Sequence, residues 1–216
     1  MGEVILVRHG QANSDAQDEE SYDKLSDLGH VQAAWLGAWF RDHGERFDRV
    51  ICGSLRRHRE TAMSMGFDDA GMTVDSRFDE LDYFNLAHAL HETHGIPLPG
   101  PAEFAAHAPA VMEAWHRAEI MGQESFAAFE GRVTEALLEA GEEGRRVLCI
   151  TSGGVIGMVV RHLLRLDPTR MAHVLLPIRN SSIHRVEIRN GQMLLQGFNA
   201  TPHLDTPDRA HARTTY

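Results

Sequence analysis

Val4-Ile5-Leu6-Val7 is an unbroken apolar run rich in β-branched residues, the pattern of a strand buried on both faces. Arg49-Val50-Ile51-Cys52, Met72-Thr73-Val74 and the stronger run from Arg145 to Thr151 read the same way. Between them the apolar period changes to that of helices. Ser26 or Asp27 caps a helix with apolar positions at Val31, Ala34, Trp35, Ala38 and Trp39. Further helices are expected from about Leu55 to Met65, near 102–118 and 125–140, and from Gly154 to Leu164. Residues 182–189 and 192–198, separated by Asn190-Gly191, predict a hairpin closed by a two-residue turn. Residues 11–24 are polar and acidic and read as a loop. Alternating strands and helices with a terminal hairpin predict an α/β sandwich around a mostly parallel sheet.

The region 82–124 breaks this rhythm. It is rich in His, Ala and Pro, and Pro97-Leu98-Pro99-Gly100-Pro101 interrupts any regular element. It is expected to be an inserted, mostly helical cap within a single domain over 1–200. The stretch 201–216 is expected to be a polar, irregular tail.

Composition narrows the function. With 216 residues, 43% of them hydrophobic, the chain can bury a substantial core. A formal net charge of -10 argues against nucleic-acid binding, which needs a basic face. Lys24 is the only lysine, so cationic chemistry falls to arginine, the better bidentate ligand for oxyanions. Cys52 and Cys149 lie in strand-like runs and read as buried free thiols. No stretch is long and apolar enough for a membrane span or a signal segment, so a cytoplasmic protein is expected.

In open α/β sheets ligands collect beyond the carboxyl ends of the strands, and three polar groups follow strands here. Arg8-His9-Gly10 leaves the first strand; Arg and His there are unfavourable to bury unless an anion pairs with them. Gly10 permits a sharp turn and close approach to a ligand. Gly53-Ser54-Leu55-Arg56-Arg57-His58-Arg59-Glu60-Thr61-Ala62 follows the second, crowding three arginines into a helix start that already carries partial positive charge. An anion at that helix terminus relieves the conflict, and Arg57 is the arginine placed to face it, whereas Arg56 and Arg59 fit a solvated face. Thr151-Ser152-Gly153-Gly154 follows the fourth strand-like run and opens a helix.

Taken in order, Leu6-Val7-Arg8-His9-Gly10-Gln11, Leu25-Ser26-Asp27-Leu28-Gly29-His30-Val31-Gln32-Ala33, Leu55-Arg56-Arg57 with Glu60-Thr61-Ala62, Asp79-Glu80-Leu81 and Thr151-Ser152-Gly153-Gly154-Val155-Ile156 resemble the histidine phosphatase superfamily, the phosphoglycerate mutase-like proteins. The resemblance implies a three-layer αβα sandwich and a phosphomonoester hydrolase with no metal or other cofactor. It makes His9 the nucleophile that carries phosphate as phosphohistidine. Arg8 and Arg57 become ligands of the transferred phosphoryl group, and Glu80 the acid that protonates the leaving oxygen and then activates water. Gly10, Gln11, Asn13, Ser152 and Gly153 line the phosphate site, and Ser14 is a further loop candidate. The expected partners are a small phosphorylated substrate and, at most, a second copy of the chain as a homodimer.

The chain departs from the family at Ser152, where a second histidine usually precedes the paired glycines. Losing such a donor costs about 10²–10³ in rate. Ser152 with a water can suffice, the pocket can bind phosphate esters with little turnover, or another histidine can substitute, with His184 and His203 as late-region candidates. A phosphate-binding regulatory protein is therefore the alternative to an enzyme, and a mutase is the less favoured activity. His88, His91, Glu92 and His94 form no H-E-x-x-H, so a metal enzyme is not expected.

Overall fold

The computed structural model describes residues 2–13, 16, 18–100, 102–141 and 144–215. Ser14 and Pro101 fall outside them. Among the described residues six strands form one sheet in the order β3-β2-β4-β1-β5-β6. β1 (Gly2–Arg8), β2 (Arg49–Cys52), β3 (Met72–Val74) and β4 (Arg146–Thr151) run parallel. β5 (Ile183–Arg189) pairs antiparallel with β1, and β6 (Gln192–Ala200) antiparallel with β5. Asn190 and Gly191, with φ of 51° and 73°, make the tight turn of that hairpin.

Strand alternation sends side chains to two cores, one on each face of the sheet. Ile5, Val7, Leu148 and Ile150 meet Ala33, Leu36 and Phe40 of α2 (Asp27–Asp42) and Ala62 of α3 (Arg56–Ser64). Val4, Leu6, Val147 and Cys149 meet the larger core on the other face. That core draws on α4 (Tyr83–His94), α5 (Phe104–His116), α6 (Phe126–Ala140), α7 (Gly153–Leu164) and α8 (Pro168–Leu175). The result is an α/β sandwich of three layers. Both cysteines are buried and free, and burial pushes the Cys52 thiol up to about 11.

Three expectations are corrected. In α2 the buried positions are Gly29, Gln32, Ala33, Leu36, Gly37 and Phe40, while Val31 is exposed and the rings of Trp35 and Trp39 are only half-buried. The helix lies too close to α3 for a large side chain: a Cβ on Gly37 would sit 2.0 Å from Met65 O. The indoles remain at the margins, Trp39 stacked on His43 and Trp35 beneath the Arg209 guanidinium. Secondly, the polar segment 11–24 contains a short helix, α1 (Glu19–Tyr22), and an isolated bridge between Ala12 and Leu25. Thirdly, the described part of the tail, 201–215, packs against the domain. Two 3-10 turns, Pro202–Leu204 and Pro207–Ala212, bury His203, Leu204 and Ala212. Gln32 of α2 donates to Ala212 O at 2.7 Å, and Asn180 N–H to Thr214 O at 2.9 Å. The helix α8 also fills a stretch for which the sequence pattern predicts nothing.

Candidate active site

The parallel strands β1, β2 and β4 end together, so His9, Gly53 and Ser152 emerge along one edge of the sheet. His9 is 1% exposed. Its Nδ1 lies 2.7 Å from Gly10 O. A carbonyl only accepts, so Nδ1 carries the ring proton and Nε2 keeps its lone pair. Burial first, then the charges of Arg57 and Arg8 and the neighbouring His58, hold His9 well below the ordinary histidine pKa. The ring is neutral at physiological pH, the state a nucleophile needs.

Arg8 and Arg57 are also buried, at 7% and 0% exposure. Arg8 donates through NH1 to Ile178 O, while its Nε has no hydrogen-bond partner among the described residues. Gly153 stands beside that nitrogen; a Cβ there would be 3.5 Å from Arg8 Nε. Arg57 pairs through NH1 with Asp23 at 3.1 Å and lies over the Tyr22 ring, 5.0 Å from its centroid. Asp23 also accepts the backbone N–H groups of Arg56 and Arg57 at 2.9 and 3.1 Å. The anion expected at this helix start is thus supplied by the chain itself. The outward arginines pair elsewhere, Arg56 with Glu60 at 2.6 Å and Arg59 with Asp69 at 2.7 Å.

Glu80 reaches the site from the segment before α4. Its Oε2 accepts Gly154 N–H at 3.1 Å and its Oε1 accepts Leu81 N–H at 2.9 Å. Gly154 makes this possible, because a Cβ there would fall 2.0 Å from Glu80 Oε1. Arg132 of α6 pins the same segment by donating to Arg77 O and Asp79 O at 2.8 and 2.9 Å. Ser152 precedes α7 with its side chain fully buried, and its Oγ lies 2.6 Å from His58 Nε2 rather than capping the helix.

The remaining loop candidates hold the site's frame. Gly10 donates its N–H to Thr61 Oγ1 at 3.1 Å, and its missing Cβ leaves room for Gly29 O, which a Cβ would meet at 2.4 Å. Its role is close packing of the turn against α2. Gln11 Oε1 accepts the hydroxyl of Ser26 at 2.9 Å, and Asn13 donates to Ser21 O at 2.9 Å, closing the loop on itself.

His184 and His203 make their hydrogen bonds to groups other than His9, Arg57 and Ser152. His184 joins Ser182 and the Asn199 N–H, His203 joins Ser181, and burial pushes both down to about 3. His94 pairs with Glu119 at 3.2 Å, His91 with Ile96 O, and no group among the described residues could hold a metal ion.

The structure adds Tyr22, Asp23, His58 and Asp79 to the neighbourhood. Tyr22 meets His9 edge-on, with centroids 6.4 Å apart, and faces Phe84 of α4. His58 is 0% exposed, with its ring centroid 5.8 Å from that of His9. One signal for His58 was available: it adjoins Arg57 in a segment aimed at the site. A histidine among three arginines reads instead as part of a solvated basic face.

A neutral histidine with one nitrogen free, set between buried arginines beyond the ends of parallel strands, defines a phosphoryl-handling α/β protein. The family model described as histidine phosphatase superfamily (branch 1) matches residues 4–201, and the chain belongs to that family. The mitochondrial serine/threonine-protein phosphatase Pgam5 of Drosophila virilis is 31% identical over 98 residues, which are 44% of this chain and 29% of that protein. The chain matches less than a third of the length of that curated relative. Among solved structures, a phosphoserine phosphatase mutant from Entamoeba histolytica in complex with phosphoserine superposes with a TM-score of 0.69 at 22% identity, covering 94% of this chain and all (100%) of that one. A mycobacterial glucosyl-3-phosphoglycerate phosphatase gives a TM-score of 0.63 at 22% identity, covering 93% and 100%. At such identities these likenesses show the fold. No helix among the described residues is long and apolar enough to cross a membrane.

Proposed function

We propose that the chain is a metal-independent phosphomonoesterase working through phosphohistidine on His9. The observation that carries this reading is the Nδ1 contact with Gly10 O at 2.7 Å, which leaves Nε2 of a buried, neutral ring free beside two arginines. Nε2 attacks phosphorus while Arg8 and Arg57 neutralise the non-bridging oxygens, the task that a metal ion performs in other phosphoryl-transfer sites. The ester oxygen departs with a proton from Glu80, whose carboxylate then takes a proton from water. The resulting hydroxide displaces phosphate from His9 and restores both groups.

Small phosphorylated molecules are the proposed substrates. The segment 82–124 is proposed to select among them, because Phe84 at the start of α4 contacts the Tyr22 ring that closes over His9. The competing reading, a phosphate-ester binder without turnover, is favoured by one feature, the serine at position 152. Hydrolysis of p-nitrophenyl phosphate in the presence of a chelator separates the two. Turnover and acid-labile phosphate on the protein, both abolished in His9→Ala, are expected of the enzyme; a wild type no faster than His9→Ala sinks it.

A further inference from the structure

The reaction above leaves a buried imidazole unused. His58 is fully enclosed, with Nε2 2.6 Å from Ser152 Oγ and Nδ1 3.7 Å from Asp79 Oδ1. The second distance is that of an ionic contact, longer than a hydrogen bond. Asp79 is itself fixed by Ser54, whose N–H and hydroxyl reach it at 2.6 and 2.5 Å. Gly53 makes room for the pair: a Cβ there would stand 2.2 Å from His58 Nδ1 and 2.5 Å from Asp79 Oδ1. A buried ring with two polar nitrogens is unfavourable as mere filling. A glycine, an aspartate and a serine on three different segments are all arranged to accommodate this one.

We infer that His58 is the second histidine of the site, reaching from α3 to the place usually filled from position 152 and acting on the phosphoryl group through the Ser152 hydroxyl. The inference rests on the phosphatase reading. With the site empty, burial and Arg57 favour the neutral ring, opposed by Asp79 and Glu80, and His9 lies beside it. A dianionic phosphoryl group arriving among these residues favours a second proton on His58, whose other nitrogen faces the Asp79 carboxylate. Nε2–H then donates to Ser152 Oγ, and the hydroxyl proton turns to a phosphoryl oxygen. A short serine thereby delivers the effect of a cationic donor. His58 is the positioning residue and Ser152 the group that touches the substrate. His58 takes that second proton from solvent water; beyond this uptake only hydrogen bonds change, so the bonds made and broken at phosphorus are those already given.

The test uses the full chain with p-nitrophenyl phosphate, comparing His58→Ala, His58→Gln, Ser152→Ala, His58→Ala/Ser152→Ala and the reciprocal His58→Ala/Ser152→His. Gln fills much of the ring's volume and keeps an N–H but cannot be protonated; thermal melting confirms that it folds. His58→Gln is expected to lower kcat on the order of 10²-fold, with KM changed far less. The double alanine variant is expected to be no slower than either single one, because the two residues act as a unit. The reciprocal variant, which returns the imidazole to position 152, is expected to recover most of the lost kcat. A folded His58→Gln protein with wild-type kcat, or a double alanine loss equal to the product of the single losses, overturns the inference and leaves the His9 reaction standing. A wild type no faster than His9→Ala removes the reaction and the inference together.

Discussion

His9 shows how one hydrogen bond sets the chemistry of a side chain. With Nδ1 committed to the Gly10 carbonyl, burial and two guanidiniums keep the remaining nitrogen unprotonated. Protonation of His9 in the free enzyme therefore begins only below the ordinary histidine pKa of 6.5. The acid limb of kcat/KM, which reports the free enzyme, is expected well below pH 6.5. A pH–rate profile with a constant-ionic-strength buffer measures this, and an acid limb at or above 6.5 contradicts the neutral ring. At the same scale, Arg57 shows how a side chain can be legible in the sequence while its surroundings are not. Three arginines at a helix start signal an anion, but not that Asp23, from a polar loop more than thirty positions earlier, is already bonded there at 2.9 and 3.1 Å.

At the level of elements, the site is the meeting of segments that secondary structure places independently. The β4–α7 junction offers Ser152 and two glycines; the segment before α4 brings Glu80 against the second of them. Gly154→Ala is expected to push the Glu80 carboxylate aside, since the added methyl group would lie 2.0 Å from its Oε1. Turnover of alkyl phosphates, which need a protonated leaving group, should fall more than that of p-nitrophenyl phosphate, whose leaving group is stable as an anion. Equal losses on the two substrates would deny Glu80 the role of acid. Strand ends were readable from the sequence because apolar runs stop abruptly at polar residues, as at Arg8 and Thr151. The buried face of α2 was not. Trp35 and Trp39 suggest a core by their size, yet close packing on α3 selects Gly37 and Ala33 and buries the amide of Gln32, which bonds to Gln11 N–H and Ala212 O. His58 escaped for a related reason: helical position alone does not tell which cationic neighbour turns inward.

Over the whole molecule, buried neutral histidines make stability depend on acid. His184 and His203 are pushed down to about 3 by burial, against an ordinary value of 6.5. The unfolded chain takes up these protons first, so their contribution is complete above pH 6.5 and is lost as pH falls toward 3. Each histidine steepens the decline by at most ~1.4 kcal/mol per pH unit within that window. Urea unfolding at pH 7, 6 and 5 is expected to show falling stability, and a flat profile contradicts it. The sheet order has a different consequence, one of timing. β1, which carries His9, sits between β4 and β5, and its residues pair with Arg146 to Thr151 on one side and with Ile183 to Ile188 on the other. Closing those contacts early is entropically unfavourable, and a ribosome emits only about 5–20 residues per second. The strand bearing the proposed nucleophile thus emerges before both of the strands that flank it, and a nascent chain has no active site until residues beyond 183 have left the exit tunnel.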